Sequence, residues 1–180
     1  ISDARRITRA DVKGFTKLNV WNEGLASLKG IEYFTSLTWL SCSENQLTSL
    51  DVSKNTALTA MDCYGNPVTA LDVSKNTAMT GLSCDRNQLT SLDVSRNTAL
   101  TWLSCYGNQL TFLDMSKNTA LTALDCSENQ LTSLDVSKNT ALKRLFCQGN
   151  PGQDGYFDVK MARVYLSLRL LTRDRTAISM

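Results

Sequence analysis

Six cysteines punctuate the chain at Cys42, Cys63, Cys84, Cys105, Cys126 and Cys147, and every gap between them is 21 residues. A fixed period of this size marks a stacked repeat architecture. One coil of that length cannot bury its apolar side alone, so neighbouring coils must share a continuous core. Aligned on the interval, the chain gives five full repeats from Leu37 to Ala141 and a sixth that starts at Leu142. The unit is close to LTxLxCxxNQLTSLDVSKNTA. An even cysteine count in a small secreted protein ordinarily suggests disulfides. Adjacent coils would place Cα atoms ~4.8 Å apart, within bridging range. Equivalent thiols all point the same way, however, and a bridge would force one out of its rotamer. A linear column also lacks tetrahedral sulfur geometry for a metal. Each thiol is therefore expected to act as a small buried hydrophobe.

The unit contains a smaller repetition. Leu37-x-x-Leu40-x-Cys42-x-x-Asn45 fills the first ten residues, and Leu47-x-x-Leu50-x-Val52-x-x-Asn55 opens the next eleven. Residues two apart share one side of a strand. Leu40 and Cys42 therefore face inward, while Trp39, Ser41 and Ser43 face outward. A coil this short has no room for a full helix. The doubled L-x-x-L-x-[apolar]-x-x-N pattern resembles the leucine-rich repeat, in a bacterial class with nested halves of ten and eleven residues. The phrase SLKGIEYFTSLTWL resembles the N-terminal repeats of internalin-like bacterial surface proteins. The resemblance covers roughly residues 15–150. It implies a mainly β solenoid of stacked coils, with short parallel strands on two sides and irregular or helical caps.

Position-matched polar residues form further columns. Asn45, Asn66, Asn87, Asn108, Asn129 and Asn150 make one, and Asn55, Asn76, Asn97, Asn118 and Asn139 another. Each stands where the chain turns after an extended segment and leaves backbone groups unpaired, which a buried amide can satisfy while bridging coils. Asp51, Asp72, Asp93, Asp114 and Asp135 form a carboxylate column whose self-repulsion needs offsetting. Lys54, Lys75, Arg96, Lys117 and Lys138 follow three residues later, and serines at 53, 74, 95, 116 and 137 can cap the same turns. Calcium bridging along these carboxylates is the sharper alternative.

The ends depart from the unit, as capping repeats do. Residues 1–36 hold a cap and a 22-residue variant repeat, with Glu23 where Asn is expected. Leu28, Ile31, Phe34 and Leu37 recur every three residues, which predicts a 3₁₀-like or helical turn. Ile1-Ser2-Asp3-Ala4 resembles the end of an EF-hand loop, but Arg5 stands at the bidentate glutamate position and no calcium is expected. Residues 37–150 are the regular repeats, and 151–180 a last half-coil and cap. Phe157-Asp158-Val159 matches a displaced Leu-Asp-Val. The tail fits a strand through Val164, Leu166, Leu168 and Leu170, or a helix face through Met161, Val164, Leu168 and Leu171, with a helical cap favoured.

Composition excludes several functions. Nineteen basic and 17 acidic residues leave a net charge of +2, too little for a nucleic-acid footprint. No run of apolar residues is long enough to insert into a membrane. The chain has no histidine, so Ser-His, Cys-His and His-zinc chemistry are absent. No Gly-rich phosphate loop occurs, and no cofactor or metal is implied.

What remains is a surface. On the Leu-Asp-Val side the outward residues barely vary, with Phe112 the main exception. On the Leu-x-Cys side they vary widely, and Trp39, Asp62, Tyr64, Asp85, Trp102, Tyr106, Asp125, Arg144 and Phe146 form a candidate ligand-binding face. Small residues at 60, 81 and 123 suggest gaps beside the tryptophans. Aromatic residues among carboxylates suit recognition of a protein or peptide. Glycan binding by Trp39, Tyr64, Trp102 and Tyr106 is the alternative, and a spacer with no ligand is the third reading. An open surface offers nothing to separate carboxylate pKa values, so no enzyme is expected. The family resemblance implies an extracellular or cell-surface location, and the first residue, Ile1, suggests a trimmed or mature form.

Overall fold

The Leu-x-Cys half of every coil forms a three-residue strand. The computed structural model describes residues 9–151 and 158–161. Its strands are β1 (Lys17–Asn19), β2 (Trp39–Ser41), β3 (Ala60–Asp62), β4 (Gly81–Ser83), β5 (Trp102–Ser104), β6 (Ala123–Asp125), β7 (Ser133–Val136), β8 (Arg144–Phe146) and β9 (Asp158–Met161). Seven of them make one parallel sheet in the order β1-β2-β3-β4-β5-β6-β8. The register steps by one repeat each time: Leu40 lies beside Met61, Met61 beside Leu82, and Leu82 beside Leu103. Backbone bonds extend the ladder past each strand, as in Cys42 N–H to Asp62 O at 2.8 Å and Glu44 N–H to Tyr64 O at 2.8 Å. Threonine hydroxyls reinforce its entry: Thr59 Oγ1 and Thr80 Oγ1 donate to the preceding coil's Thr38 O and Thr59 O.

The core is a set of columns. Leu40, Leu82, Leu103 and Cys42, Cys84, Cys105 are fully buried on the sheet side, and they meet Leu47, Val52, Leu89 and Val94 from the other half of each coil. Position-matched side chains stack on copies of themselves, so each coil buries its apolar edge against the next.

The expected second sheet is largely missing. Among the described residues, the Leu-Asp-Val side pairs only as β7 with β9 and as an isolated bridge between Asp51 and Asp72. Local turns occupy backbone groups along this side. Asp51 Oδ1 accepts from Ser53 N–H at 2.9 Å, and Val52 O accepts from Asn55 N–H at 3.0 Å. The turn does not by itself exclude pairing, since the bridged Asp51 and Asp72 and Asp135 within β7 all accept from the serine two residues on. The coils are thus joined by a continuous ladder on one side and by sparse pairing with local turns on the other.

At the N-terminal end, a short helix α1 (Arg9–Val12) precedes β1, and a 3₁₀ turn at Ile31–Tyr33 fills the stretch of threefold periodicity. At the other end the last half-coil pairs two residues later than the motif suggested. Val159 stands beside Leu134 and Met161 beside Val136, so Val-Lys-Met takes the Leu-Asp-Val place instead of Phe157-Asp158-Val159. The EF-hand-like segment at residues 1–5 and the helix-or-strand question beyond Met161 lie outside the described residues.

Candidate recognition face

Parallel register turns the outward residues of β1–β6 and β8 into columns. The first runs Lys17, Trp39, Ala60, Gly81, Trp102, Ala123, Arg144, and the second Asn19, Ser41, Asp62, Ser83, Ser104, Asp125, Phe146. The third continues one residue past each inward position: Trp21, Ser43, Tyr64, Asp85, Tyr106, Ser127, Gln148. Trp102 is 41% exposed, Arg144 is exposed, and Trp39, Asp62, Tyr64, Asp85, Tyr106, Asp125 and Phe146 are partly covered. The structure therefore brings all nine candidate residues onto one face.

Several outward positions are not open. Ser41, Ser43, Ser83, Ser104 and Ser127 are buried although they point away from the core. Ser41, Ser43 and Ser127 stand between larger neighbours in their columns, while Ser83 and Ser104 adjoin each other and both hydrogen-bond the Asp85 carboxylate. The gap at Gly81 is also occupied, because a Cβ there would meet Trp102 Cε3 at 3.3 Å. The Trp102 ring lies back over that glycine, and Ala123 is only 6% exposed.

A fourth column lies at the turn after each strand. Glu44, Gly65, Arg86, Gly107, Glu128 and Gly149 all have φ between +47° and +72°. L-residues adopt this left-handed region at a cost that glycine avoids. Every second coil nonetheless carries a charged residue there. Those side chains fold over the next coil's glycine: the Glu44 carboxylate over Gly65, Arg86 Cγ over Gly107, and the Glu128 carboxylate over Gly149. Arg86 also lies between two tyrosines, its guanidinium 6.0 Å from the Tyr64 ring centroid and 5.7 Å from that of Tyr106. This is the geometry of a double cation–π contact.

Charge on the face is uneven. Partial burial pushes the Asp85 carboxyl up from its ordinary value, against hydrogen bonds from Ser104 and the Tyr106 backbone that favour the ion. Asp85 Oδ1 accepts from Tyr106 N–H at 2.8 Å. Asp62 Oδ1 accepts from Tyr64 N–H at 3.1 Å, and Asp125 Oδ1 from Ser127 N–H at 3.0 Å and Ser127 Oγ at 2.7 Å. These bonds fix where the carboxylates stand.

On the opposite side the aspartate column is held differently. Serine hydrogen bonds hold Asp51, Asp72, Asp93 and Asp114 below the usual carboxylate range, and the following Lys or Arg adds a smaller effect. No group of three or more metal-ligating side chains occurs among the described residues.

Beneath the face, all six cysteines are free and buried. Burial raises their thiols, Cys42 up to about 12 and Cys63, Cys84 and Cys105 well above the ordinary value. Cys63 Sγ donates to Ser83 O at 3.4 Å and Cys84 Sγ to Ser104 O at 3.5 Å, each one coil on. The first asparagine column closes the same edge. Asn87 Nδ2 donates to Cys63 O, Cys84 O and Asp85 O, each at 3.0 Å, and its Oδ1 accepts from Val68 N–H at 3.2 Å. In the second column Asn97 Nδ2 donates to Val73 O and Asn76 O. The Oδ1 atoms of Asn55, Asn76, Asn97, Asn118 and Asn139 find no partner among the described residues.

Two members of the face were not anticipated. Trp21 is 56% exposed and continues the Tyr64–Tyr106 column into the variant coil. Its signal was the alternation around Leu18 and Val20 in a repeat one residue longer than the rest. Arg86 had a weaker signal, because a turn residue shows its stacking only once the coils are built.

No protein-family model matches the chain, and no curated protein matches it. Solved structures do. The functional domain of InlJ from Listeria monocytogenes, which includes a cysteine ladder, is 40% identical with a TM-score of 0.69. The match covers 81% of this chain and 37% of that one. The internalin InlF of the same organism superposes with a TM-score of 0.71 at 22% identity, over 86% of this chain and 45% of its own. A leucine-rich-repeat protein of Leptospira interrogans matches with a TM-score of 0.58 at 20% identity, over 79% and 45%. The chain thus matches less than half the length of each of these structures.

Proposed function

This chain is a leucine-rich-repeat protein of the bacterial class with nested 21-residue coils, and from that premise we propose a non-enzymatic recognition module that binds a protein or peptide. The Leu-x-Cys face is its binding surface, and the module works outside the cell or at the bacterial surface. One observation carries the reading. The continuous seven-stranded sheet displays chemically different side chains from coil to coil, while the Leu-Asp-Val side repeats nearly the same ones. Strand pairing holds Trp102, Asp85, Tyr64 and Tyr106 at set spacings, so little conformational entropy is lost when a partner docks. Among the described residues no helix is long and apolar enough to cross a membrane.

A specific observation also favours the glycan alternative: Trp102 presents a ring that is 41% exposed and lies over Gly81. A displayed peptide library and a glycan array, each probed with wild type, Trp102→Ala and Phe112→Ala, separate the readings. Peptide binders lost in Trp102→Ala and kept in Phe112→Ala support the proposal. Glycan spots with the same dependence support the alternative. Absence of any binder leaves only the spacer.

A further inference from the structure

Residues 37–66 recur as residues 100–129 with seven differences. On the sheet this recurrence builds one station twice. Trp39 and Ser41 on β2 stand opposite Ala60 and Asp62 on β3, and Trp102 and Ser104 on β5 stand opposite Ala123 and Asp125 on β6. In each, the serine is buried and a small alanine separates the Trp strand from the Asp, although the Trp102 ring itself leans over Gly81 on the β4 side. One strand spacing and two residues of rise put Trp and Asp about 8 Å apart at Cα. Three strand spacings put equivalent points of the two stations about 14 Å apart.

The charge of the face points to its occupant. Its interior coils carry Glu44, Asp62, Asp85, Asp125 and Glu128 against Arg86, with Lys17 and Arg144 at the two ends of the first column, so the face is net acidic in a chain whose net charge is +2. The molecule itself also seats a guanidinium here, Arg86 between Tyr64 and Tyr106. A ring beside a carboxylate suits a cation through cation–π attraction and ion pairing together. In an extended chain, residues four apart lie on one side and about 13–14 Å from each other, which matches the station spacing. We propose that the face binds an extended basic segment of a partner protein with Lys or Arg at positions i and i+4, one cation per Trp/Asp station. The proposal rests on the peptide-recognition reading above and adds the charge and spacing of the partner.

The test selects random linear peptides on the wild-type protein. Synthetic peptides of one composition, with two lysines at i,i+4 or at i,i+3, are then titrated against wild type, Trp39→Ala, Trp102→Ala, Asp62→Asn and Asp125→Asn, with thermal melts to confirm folding. The selected consensus should carry basic residues four apart. The i,i+4 peptide should bind about tenfold tighter than its i,i+3 isomer, and either tryptophan variant should erase that preference. Selected peptides that need Trp102 but carry no paired cations, or isomers that bind equally, would overturn the spacing proposal while leaving peptide recognition standing. No selected peptide at all would overturn both. A neutral oligosaccharide held in a Trp102-dependent way, with no lysine preference, would replace the peptide by a sugar.

Discussion

The two long sides of this solenoid are built from nearly the same half-repeat, yet they close their backbones by different means. On the Leu-x-Cys side each strand pairs with the next coil, and each asparagine both donates and accepts across coils. On the Leu-Asp-Val side pairing is sparse, each coil carries an aspartate–serine turn, and the asparagine donates without accepting. The difference teaches where variation is tolerated. A paired strand needs no particular outward side chain, because its backbone supplies the bonds. A turn held by Asp and Ser needs those two residues in every coil. The side free to vary is the one we propose for recognition.

The largest expected effect comes from cutting the two ladders at matched positions. Asn108 Nδ2 donates to Cys84 O, Cys105 O and Tyr106 O, and its Oδ1 accepts from Leu89 N–H. Asn97 makes two such bonds. Asn108→Ala should destabilise by roughly 3–5 kcal/mol and Asn97→Ala by roughly 2–3 kcal/mol, read from denaturant unfolding. Equal losses would erase the distinction between the sides. Cys105→Ala should cost less, about 1–2 kcal/mol, as a small cavity in a packed column.

The sides should also fail at opposite ends of the pH scale. Buried thiols cannot ionise in the folded state, whereas unfolded ones titrate near pH 8.5. With the folded pKa raised, this stability is fully present below about pH 8.5 and is lost as pH rises from there toward the folded value. The melting temperature should therefore fall in alkali, and less steeply in Cys105→Ala. On the other side the folded aspartates lie below the unfolded value. Their contribution is present above about pH 4 and is lost as pH falls through the folded values. Asp93→Asn should flatten the acid limb and leave the alkaline limb unchanged. Asp85 has the opposite sign, since its folded carboxyl is raised. Asp85→Asn should slightly raise the melting temperature at pH 7 and have no such effect well below pH 4, where both forms are neutral.

The smallest effect is local. Gly107 has φ +65° and its Cβ position lies 3.4 Å from Arg86 Cγ. Gly107→Ala should cost about 1 kcal/mol in strain. It should also loosen Arg86 from Tyr106, visible as a change in tyrosine fluorescence.

Much of this was legible from one interval. The period of 21 placed Leu40, Cys42 and Asn45 in register, because stacking makes equivalent residues neighbours whatever their chemistry. It also gathered Trp39, Asp62 and Trp102 on one face. The sparse pairing of the second side was not legible, since Leu50-x-Val52 alternates as well as Leu40-x-Cys42 does. Burial of Ser83 and the filling of the Gly81 gap by Trp102 depend on side-chain size in adjacent coils. Arg86 was missed because its partners, Tyr64 and Tyr106, lie one coil on either side of it.

A footprint decides the central claim, that one side recognises and the other supports. Hydroxyl-radical labelling of the protein, alone and with its tightest selected ligand, reads side-chain protection directly. The account predicts protection at Trp39, Tyr64, Trp102 and Tyr106, with Phe112 labelled equally in both states. Protection of Phe112 with the tryptophans and tyrosines unchanged would place recognition on the Leu-Asp-Val side and contradict it.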